Sequence, residues 1–163
     1  MDNLVVAVLG HRNSGKSTTW YSLFGRTVRT GTELKRLYLT ADEYVDVFLV
    51  SGSPEERETY VGDIIGTQRP RIVLCSMQYR HDVTTTINFF IENSYFIFCH
   101  WLNPGYSDQS NSKVYDELGL VNYILSKDSV IGIRNGKTDP NERVRELKDY
   151  IYGWAKSRGL IKT

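Results

Sequence analysis

The sequence has little of several things: its 163 residues include two cysteines, four prolines and almost no net charge. Twenty basic and nineteen acidic side chains give a formal charge of +1, so charge provides no reason to expect nucleic acid or an anionic membrane as the main partner. No apolar run approaches the roughly 20 residues of a membrane-spanning helix. The opening Met1-Asp2-Asn3 lacks the basic segment of a signal peptide. We therefore expect a cytoplasmic protein without a membrane partner.

The two cysteines, Cys75 and Cys99, each lie inside an apolar run, and no metal-ligand spacing is present. Buried, inert thiols are the favoured interpretation, and a disulfide is the alternative. Apolar residues make up 40% and charged residues 24%, which is typical of a globular protein. The length suits one domain spanning residues 1–163.

Apolar runs and helical periodicity alternate along the chain, which predicts an α/β fold. The predicted strands are 4–9, 36–39, 44–50, 71–76, 95–102 and 130–133. Three of the predicted helices are 17–24, a weak helix ending near Gly66 and a helix capped by Asp82. A fourth carries Val114, Leu118, Val121 and Leu125. A fifth is capped by Asp139 and carries Val144, Leu147, Ile151 and Trp154.

Only residues 40–43 separate the second and third strands. A parallel crossover needs a dozen or more residues, so these two strands should form an antiparallel hairpin. The prediction is a mostly parallel six-stranded sheet with one antiparallel edge strand.

A glycine-bearing loop follows the first strand, and its sequence fits the pattern G-x-x-x-x-G-K-[ST]. The loop is Gly10-His11-Arg12-Asn13-Ser14-Gly15-Lys16-Ser17-Thr18. A buried strand before it and a helix after it are the context in which this pattern binds phosphate. Backbone N–H groups curl around the anion, and the new helix directs its positive end at it.

Each side chain at the end of this loop has an expected role. Lys16 should reach the β- and γ-phosphates and stabilise charge during phosphoryl transfer, and Ser17 should supply a ligand to Mg²⁺. Thr18 is placed to donate to an α-phosphate oxygen. His11 and Arg12 either flank the phosphates or point to solvent.

The segment from Gly15 to Arg26 resembles the start of a small Ras-like or translation-factor-type GTPase of the P-loop superfamily. The resemblance implies a three-layer domain with strand order 2-3-1-4-5-6. It places Thr32 where a switch threonine closes over Mg²⁺, and Gly52 where the second switch begins.

The sequence departs from that family at three places. The segment before Gly52 lacks the metal-orienting aspartate, and Ser53 stands where a water-positioning glutamine is expected. The guanine-reading motif is replaced by the segment 103–106, in which Asn103 is a candidate base contact and Asp108 the nearest carboxylate. ATP is therefore as plausible a ligand as GTP.

Several side chains are candidates for the roles that these departures leave open. Glu55 or Glu56 could act as general base or hold a metal-bound water, and a solvated loop is the alternative. The candidates for an arginine that stabilises transition-state charge are Arg26, Arg29 and Arg57. The candidates for base or ribose contacts, with core packing as the alternative, are His100 and Trp101.

The expected function is purine nucleotide binding with Mg²⁺ and slow or partner-dependent hydrolysis. One alternative is a nucleotide or small-molecule kinase, and another is a non-catalytic binding module. The arginines of a kinase-type phosphate clamp would be Arg57, Arg69, Arg71 and Arg80. Aromatic residues outside the buried helix stripes suit a protein partner, and they are Tyr115, Tyr150 and Tyr152.

Overall fold

The structure is a computed structural model that describes residues 2–163. Strands and helices alternate along most of this range. In chain order the elements are β1 (Asn3–Gly10), α1 (Lys16–Phe24), β2 (Lys35–Tyr38), β3 (Tyr44–Val50), α2 (Val61–Ile65), β4 (Ile72–Gln78), α3 (Val83–Glu92), β5 (Tyr95–Leu102), α4 (Leu120–Leu125), β6 (Val130–Arg134) and α5 (Asn141–Lys156). None of the helices in this range is both long and apolar enough to cross a membrane.

The six strands form one sheet in the order β2-β3-β4-β1-β5-β6. The edge strand β2 runs antiparallel to β3, and the other neighbouring pairs are parallel. The α/β class, the hairpin and the mostly parallel sheet with one antiparallel edge are thereby confirmed.

The predicted strand order 2-3-1-4-5-6 is wrong, because β4 lies between β3 and β1. The connection from β3 to β4 contains only the five-residue helix α2. A connection with so short a helix suits a crossover between neighbouring strands. The strands β3 and β4 are neighbours, because Phe48 pairs with Val73. The predicted order would have required this connection to pass beyond β1.

Helices cover both faces of the sheet, and β1 alternates its side chains between the two cores. Val5, Ala7 and Leu9 pack with apolar residues of α2, α3 and α4. Leu4, Val6 and Val8 pack with those of α1 and α5 on the opposite face. The central strand is therefore buried on both sides, as its unbroken apolar run predicted.

Cys75 and Cys99 are both buried and free. Both pair in register with Ala7, from opposite sides of β1. Two strand spacings of about 4.8 Å separate them, which exceeds the span of a disulfide. Burial raises the pKa of Cys99 to about 12. The prediction of buried thiols without a disulfide is confirmed.

The predicted helix carrying Val114 to Leu125 is wrong in its first half. Helix α4 begins only at Leu120. Asp116 accepts hydrogen bonds from the backbone N–H groups of Leu120 (3.2 Å) and Val121 (2.9 Å), which fixes the start of the helix. Apolar spacing alone therefore overestimated its length.

The last helix agrees closely with its prediction. Asp139 accepts a hydrogen bond from the backbone N–H of Asn141 at 2.8 Å, and the helix begins at that residue. Its predicted apolar stripe is buried, and the stripe comprises Val144, Leu147, Ile151 and Trp154.

A buried histidine lies between β5 and α5. His100 is 1% exposed, and its Nε2 lies 2.5 Å from Oε1 of Glu146, which also binds the Arg134 guanidinium. Burial lowers the pKa of His100 to about 4, and the charges of Arg134 and Arg143 act in the same direction against the Glu146 carboxylate. A pKa near 4 favours the neutral imidazole at physiological pH, and the burial of the ring favours packing over a ligand contact.

We predict that the protein loses stability as pH falls through the pKa that His100 has when unfolded. Below about pH 6.5 the unfolded state binds a proton on this imidazole that the folded state does not, so the free energy of unfolding decreases until the pH approaches the folded-state pKa of about 4. Between about pH 7 and about pH 5 the loss should approach about 2 kcal/mol. His100→Gln should flatten this part of the profile, measured by denaturant unfolding. His81→Gln, at an exposed position, is the control and should retain the slope.

Candidate functional site

The glycine-bearing loop begins where β1 ends, at the centre of the carboxyl edge of the sheet. Gly10 is the last residue of β1, and its carbonyl accepts a hydrogen bond from the backbone N–H of Tyr79 at 2.9 Å. The loop thus starts between the ends of β4 and β5. In open α/β sheets this edge is where ligands bind.

Lys16 folds back over the loop that precedes it. Its Nζ donates to the carbonyls of Gly10 (3.2 Å) and His11 (2.8 Å) and to Oγ of Ser14 (3.4 Å). Burial lowers the pKa of Lys16, and the carboxylate of Glu56 opposes that shift. A largely buried ammonium group is thereby held at the mouth of the loop.

Two carbonyls in the middle of the loop are bound by the segment after β5. The carbonyls of Asn13 and Ser14 accept hydrogen bonds from Ser107 (3.2 Å) and Tyr106 (3.0 Å). Within residues 2–163 no backbone hydrogen bond outside the helices and strands has an N–H of residues 15–18 as its donor, and residues 12–13 form a turn. Asn13 (φ 59°) has the left-handed backbone that lets consecutive N–H groups converge. This arrangement suits an anion.

Ser14 is 1% exposed, and glycines border it on several sides. A Cβ on Gly136 would lie 2.6 Å from the Ser14 carbonyl oxygen, and one on Gly105 would lie 2.7 Å from the Ser14 Cβ. The backbones of these two loops can approach the turn only because they carry no side chain there. Their glycines therefore help to fix the shape of the turn.

The loop opens onto a cavity of about 370 Å³. Its walls come from the loop, the start of α1, the segment after β3 and the segment after β5. The lining residues are Asn13, Ser14, Gly15, Lys16, Ser17, Thr18, Ser51, Gly52, Ser53, Glu56, Tyr106 and Ser107. A larger cavity of about 680 Å³ lies around the β6–α5 connection and has no lining residue in common with the first.

Searches against protein-family models, curated proteins and solved structures found no match to this chain. The functional assignment therefore depends on the geometry of the loop and its cavity.

The two predicted metal ligands lie in different places. Ser17 is exposed and lines the cavity. Thr32 is also exposed but is not among the lining residues, and its carbonyl accepts a hydrogen bond from Gln68 at 2.5 Å. Thr30 lies closer to the end of β3, because its Oγ1 accepts the Ser51 N–H at 2.8 Å. No group of three or more His, Cys, Asp or Glu side chains within residues 2–163 could hold a metal ion.

Asn103 has a structural task in the fold. It is 1% exposed, its Oδ1 accepts the Val114 N–H at 2.8 Å, and its Nδ2 donates to the Val114 carbonyl at 3.0 Å. A base contact by this amide would have to break that pair. The nearby carboxylate of Asp108 accepts the Gly105 N–H at 2.8 Å. Both side chains hold the turn after β5.

The predicted arginines are not brought together at the cavity. None of Arg26, Arg29 and Arg57 is among its lining residues. Arg71 precedes β4 and donates to the Asp2 carbonyl, at the end of the sheet opposite to the loop. Arg80 is occupied by the carboxylate of Asp82. None of the four arginines suggested for a kinase-type clamp lines this cavity.

A stack of aromatic rings packs against His11 of the loop. Tyr79 lies parallel to Trp101 with ring centroids 4.8 Å apart, and the His11 ring contacts Tyr79 edge-on at 5.3 Å. The Tyr79 hydroxyl donates to Asp116 and accepts the N–H of Leu118. Trp101 is 1% exposed, so its role is packing.

Sequence reasoning missed Arg143, which connects α5 to α1. It is 6% exposed, and it donates to Oγ1 of Thr19 (3.3 Å) and to the carbonyls of Asn135 (3.3 Å) and Thr138 (3.4 Å). Its position next to Val144 in the buried stripe was the available signal, but nothing local distinguished it from the exposed Arg145.

The three aromatic residues proposed for a partner surface differ in exposure. Tyr115 is 86% exposed. Tyr150 stacks on Phe98 with centroids 4.0 Å apart, and the hydroxyl of Tyr152 donates to Glu43. Only Tyr115 of these three presents its ring freely.

We predict that Gly136→Ala destabilises the protein by about 1–3 kcal/mol, because the new Cβ would overlap the Ser14 carbonyl oxygen. Denaturant unfolding measures the change. The matched control is Gly153→Ala within α5, where a Cβ meets no atom within 4 Å. This control should stabilise the helix by about 0.5–1 kcal/mol. Equal effects of the two substitutions would contradict the role assigned to Gly136.

Proposed function

We propose that this chain is a three-layer P-loop domain that binds a purine nucleoside triphosphate with Mg²⁺ and hydrolyses it slowly or only with a protein partner. The observation that carries the proposal is the set of N–H groups at residues 15–18 that have no backbone partner among the described residues, next to Lys16 at the start of α1. Buried or partly buried backbone donors without partners are costly unless a ligand satisfies them.

The triphosphate fits the chemistry of this loop. The N–H groups would surround the β-phosphate, and Lys16 would turn from the loop carbonyls towards the β- and γ-phosphates. Thr18 would donate to the α-phosphate, and His11 and Arg12 would flank the phosphates or point to solvent. The positive end of α1 adds to the attraction for an anion.

Mg²⁺ fits the same cavity with Ser17 as its ligand from the chain. Mg²⁺ commonly keeps several waters and takes phosphate oxygens as ligands, so a carboxylate cluster is not required. When bound, it would neutralise charge on the β- and γ-phosphates. The cavity beside Ser17 is lined by further hydroxyl groups from Ser51 and Ser53.

We propose no preference between adenine and guanine. The engagement of Asn103 by Val114 removes the one candidate base contact of the guanine-reading segment. The observed strand order also removes the topological reason for placing the chain among guanine switches. ATP and GTP therefore stand as equal candidate ligands.

We predict that ATP, GTP or both bind the wild-type protein in the presence of Mg²⁺, and that Lys16→Ala weakens this binding by at least about 10-fold to 100-fold. A charge-assisted hydrogen bond to a phosphate is worth about 1.5–3 kcal/mol. Calorimetry with ADP, ATP, GDP and GTP, with and without Mg²⁺, measures the loss. Lys113→Ala is the control, because Lys113 is exposed and lies outside the cavity lining.

The proposal would be wrong if folded wild-type protein bound none of the four nucleotides. Ser17→Ala provides an independent readout, since it should weaken binding in Mg²⁺ but leave Mg²⁺-free binding almost unchanged.

A further inference from the structure

We propose that Glu56 is the general base of this site, the carboxylate that accepts a proton from the water attacking the γ-phosphate. The inference rests on the proposed function and assigns a residue to the role that the missing switch residues leave open. It follows from the different positions of two adjacent glutamates.

Glu55 is turned away from the cavity and buried in the fold. It is 4% exposed, its Oε1 accepts the Gln78 N–H at 2.6 Å, and its Oε2 accepts the Thr86 hydroxyl at 2.5 Å. Its carbonyl accepts a hydrogen bond from Arg80 at 2.5 Å. Burial raises the pKa of Glu55, against the effect of the Thr86 and Gln78 hydrogen bonds. This residue anchors the segment after β3 to β4 and α3.

The anchor fixes where the next side chain points. Ser53, 1% exposed, accepts the Glu56 N–H through its hydroxyl at 3.3 Å, and its carbonyl accepts the Arg57 N–H at 3.1 Å. With Glu55 held on one side of this turn, Glu56 is presented on the other. Glu55 is therefore a positioning residue and Glu56 the residue that faces the site.

Glu56 is the one carboxylate among the described residues that line the cavity at the loop. Its Oε1 lies 3.9 Å from Nζ of Lys16, and its side chain is 38% exposed. The proposed function places Lys16 against the γ-phosphate, so a carboxylate near Lys16 is within reach of a water beside that phosphate. A general base has to be within hydrogen-bond reach of the proton that it abstracts, directly or through one water.

The reaction balances without a further reactant. The water oxygen attacks the γ-phosphorus, and its bond to phosphorus forms as the bond from phosphorus to the β–γ bridging oxygen breaks. The bridging electron pair stays with the β-phosphate of the nucleoside diphosphate. One water proton passes to Glu56, and inorganic phosphate leaves with the other.

The competing explanation is that Glu56 only pairs with Lys16 while the loop is empty. An ion pair of that kind would affect nucleotide affinity, because the triphosphate has to displace the carboxylate from Lys16. A general base would affect turnover at saturating nucleotide. Affinity and turnover therefore have to be measured separately on the same variants.

The test is turnover of γ-labelled ATP and GTP at saturating concentration by wild type, Glu56→Gln and the control Glu58→Gln. Glu58 is exposed and lines a different cavity. We expect Glu56→Gln to lower turnover by about 10²- to 10⁴-fold, the usual contribution of a general base. Its triphosphate affinity should equal or exceed that of wild type, because a negative charge near the γ-phosphate has been removed. Glu58→Gln should retain turnover within about twofold.

A second variant, Glu56→Ala, distinguishes the loss of the carboxylate from a nonspecific loss of activity. Glu56→Ala should be inactive, and added formate should partly restore its turnover by supplying a carboxylate in the vacated space. Formate should not restore Lys16→Ala, whose defect is in phosphate binding.

Each outcome has a defined meaning. Wild-type turnover in Glu56→Gln, or a loss explained wholly by weaker binding, would overturn the role of Glu56 and leave the proposed function standing. Triphosphate binding by the wild type without any turnover would overturn Glu56 as a base that acts in the isolated chain, and would leave nucleotide binding, the first part of the proposed function, standing. Absence of nucleotide binding by the wild type would instead remove the proposed function on which this inference rests.

Discussion

The loop after β1 has to keep several backbone N–H groups without protein partners while remaining in one conformation. Such groups favour turning outward to water or pairing with nearby carbonyls, so the conformation must be imposed from outside the loop. The imposing contacts are hydrogen bonds from Ser107 and Tyr106 to the loop carbonyls, and the close approach of Gly105 and Gly136 to Ser14. Two other connections of the sheet, those after β5 and β6, therefore hold this one turn.

The position of β4 has the next largest effect on the site. Because β4 lies between β3 and β1, the end of β3 is one strand further from the loop than the Ras-like order would place it. A carboxylate directly after β3 would therefore lie further from the loop than in the Ras-like order. The segment after β3 instead extends back over the end of β4, where Glu55 meets Gln78, and returns a carboxylate to the loop at Glu56.

Local signals in the sequence predicted a large part of this fold. The apolar run of β1, the glycine and lysine spacing after it, and the four residues between β2 and β3 each constrain structure within a short window. What failed depends on distant partners. The pairing of Phe48 with Val73 decides the strand order, and the bonds between Asn103 and Val114 hold a segment whose apolar spacing had predicted a helix.

The residues of the candidate site were also predicted only in part. The loop residues followed from their spacing, and two adjacent glutamates were identified as candidates without a means to choose between them. Only the burial of Glu55 against Thr86 separates their roles. Arg143 gave no distinguishing signal, because its contact with Thr19 joins residues 124 positions apart.

The ring stack beneath the loop joins regions that are far apart in sequence. Tyr79 contacts His11 of the loop with its ring and, through its hydroxyl, Asp116 at the start of α4. The Tyr79 ring stacks on Trp101, and its hydroxyl is hydrogen-bonded to Asp116. A displacement of His11 would therefore meet a ring that is held in place by both contacts. The loop after β1 and the residues before α4 therefore contact one and the same side chain, Tyr79, the first through its ring and the second through its hydroxyl.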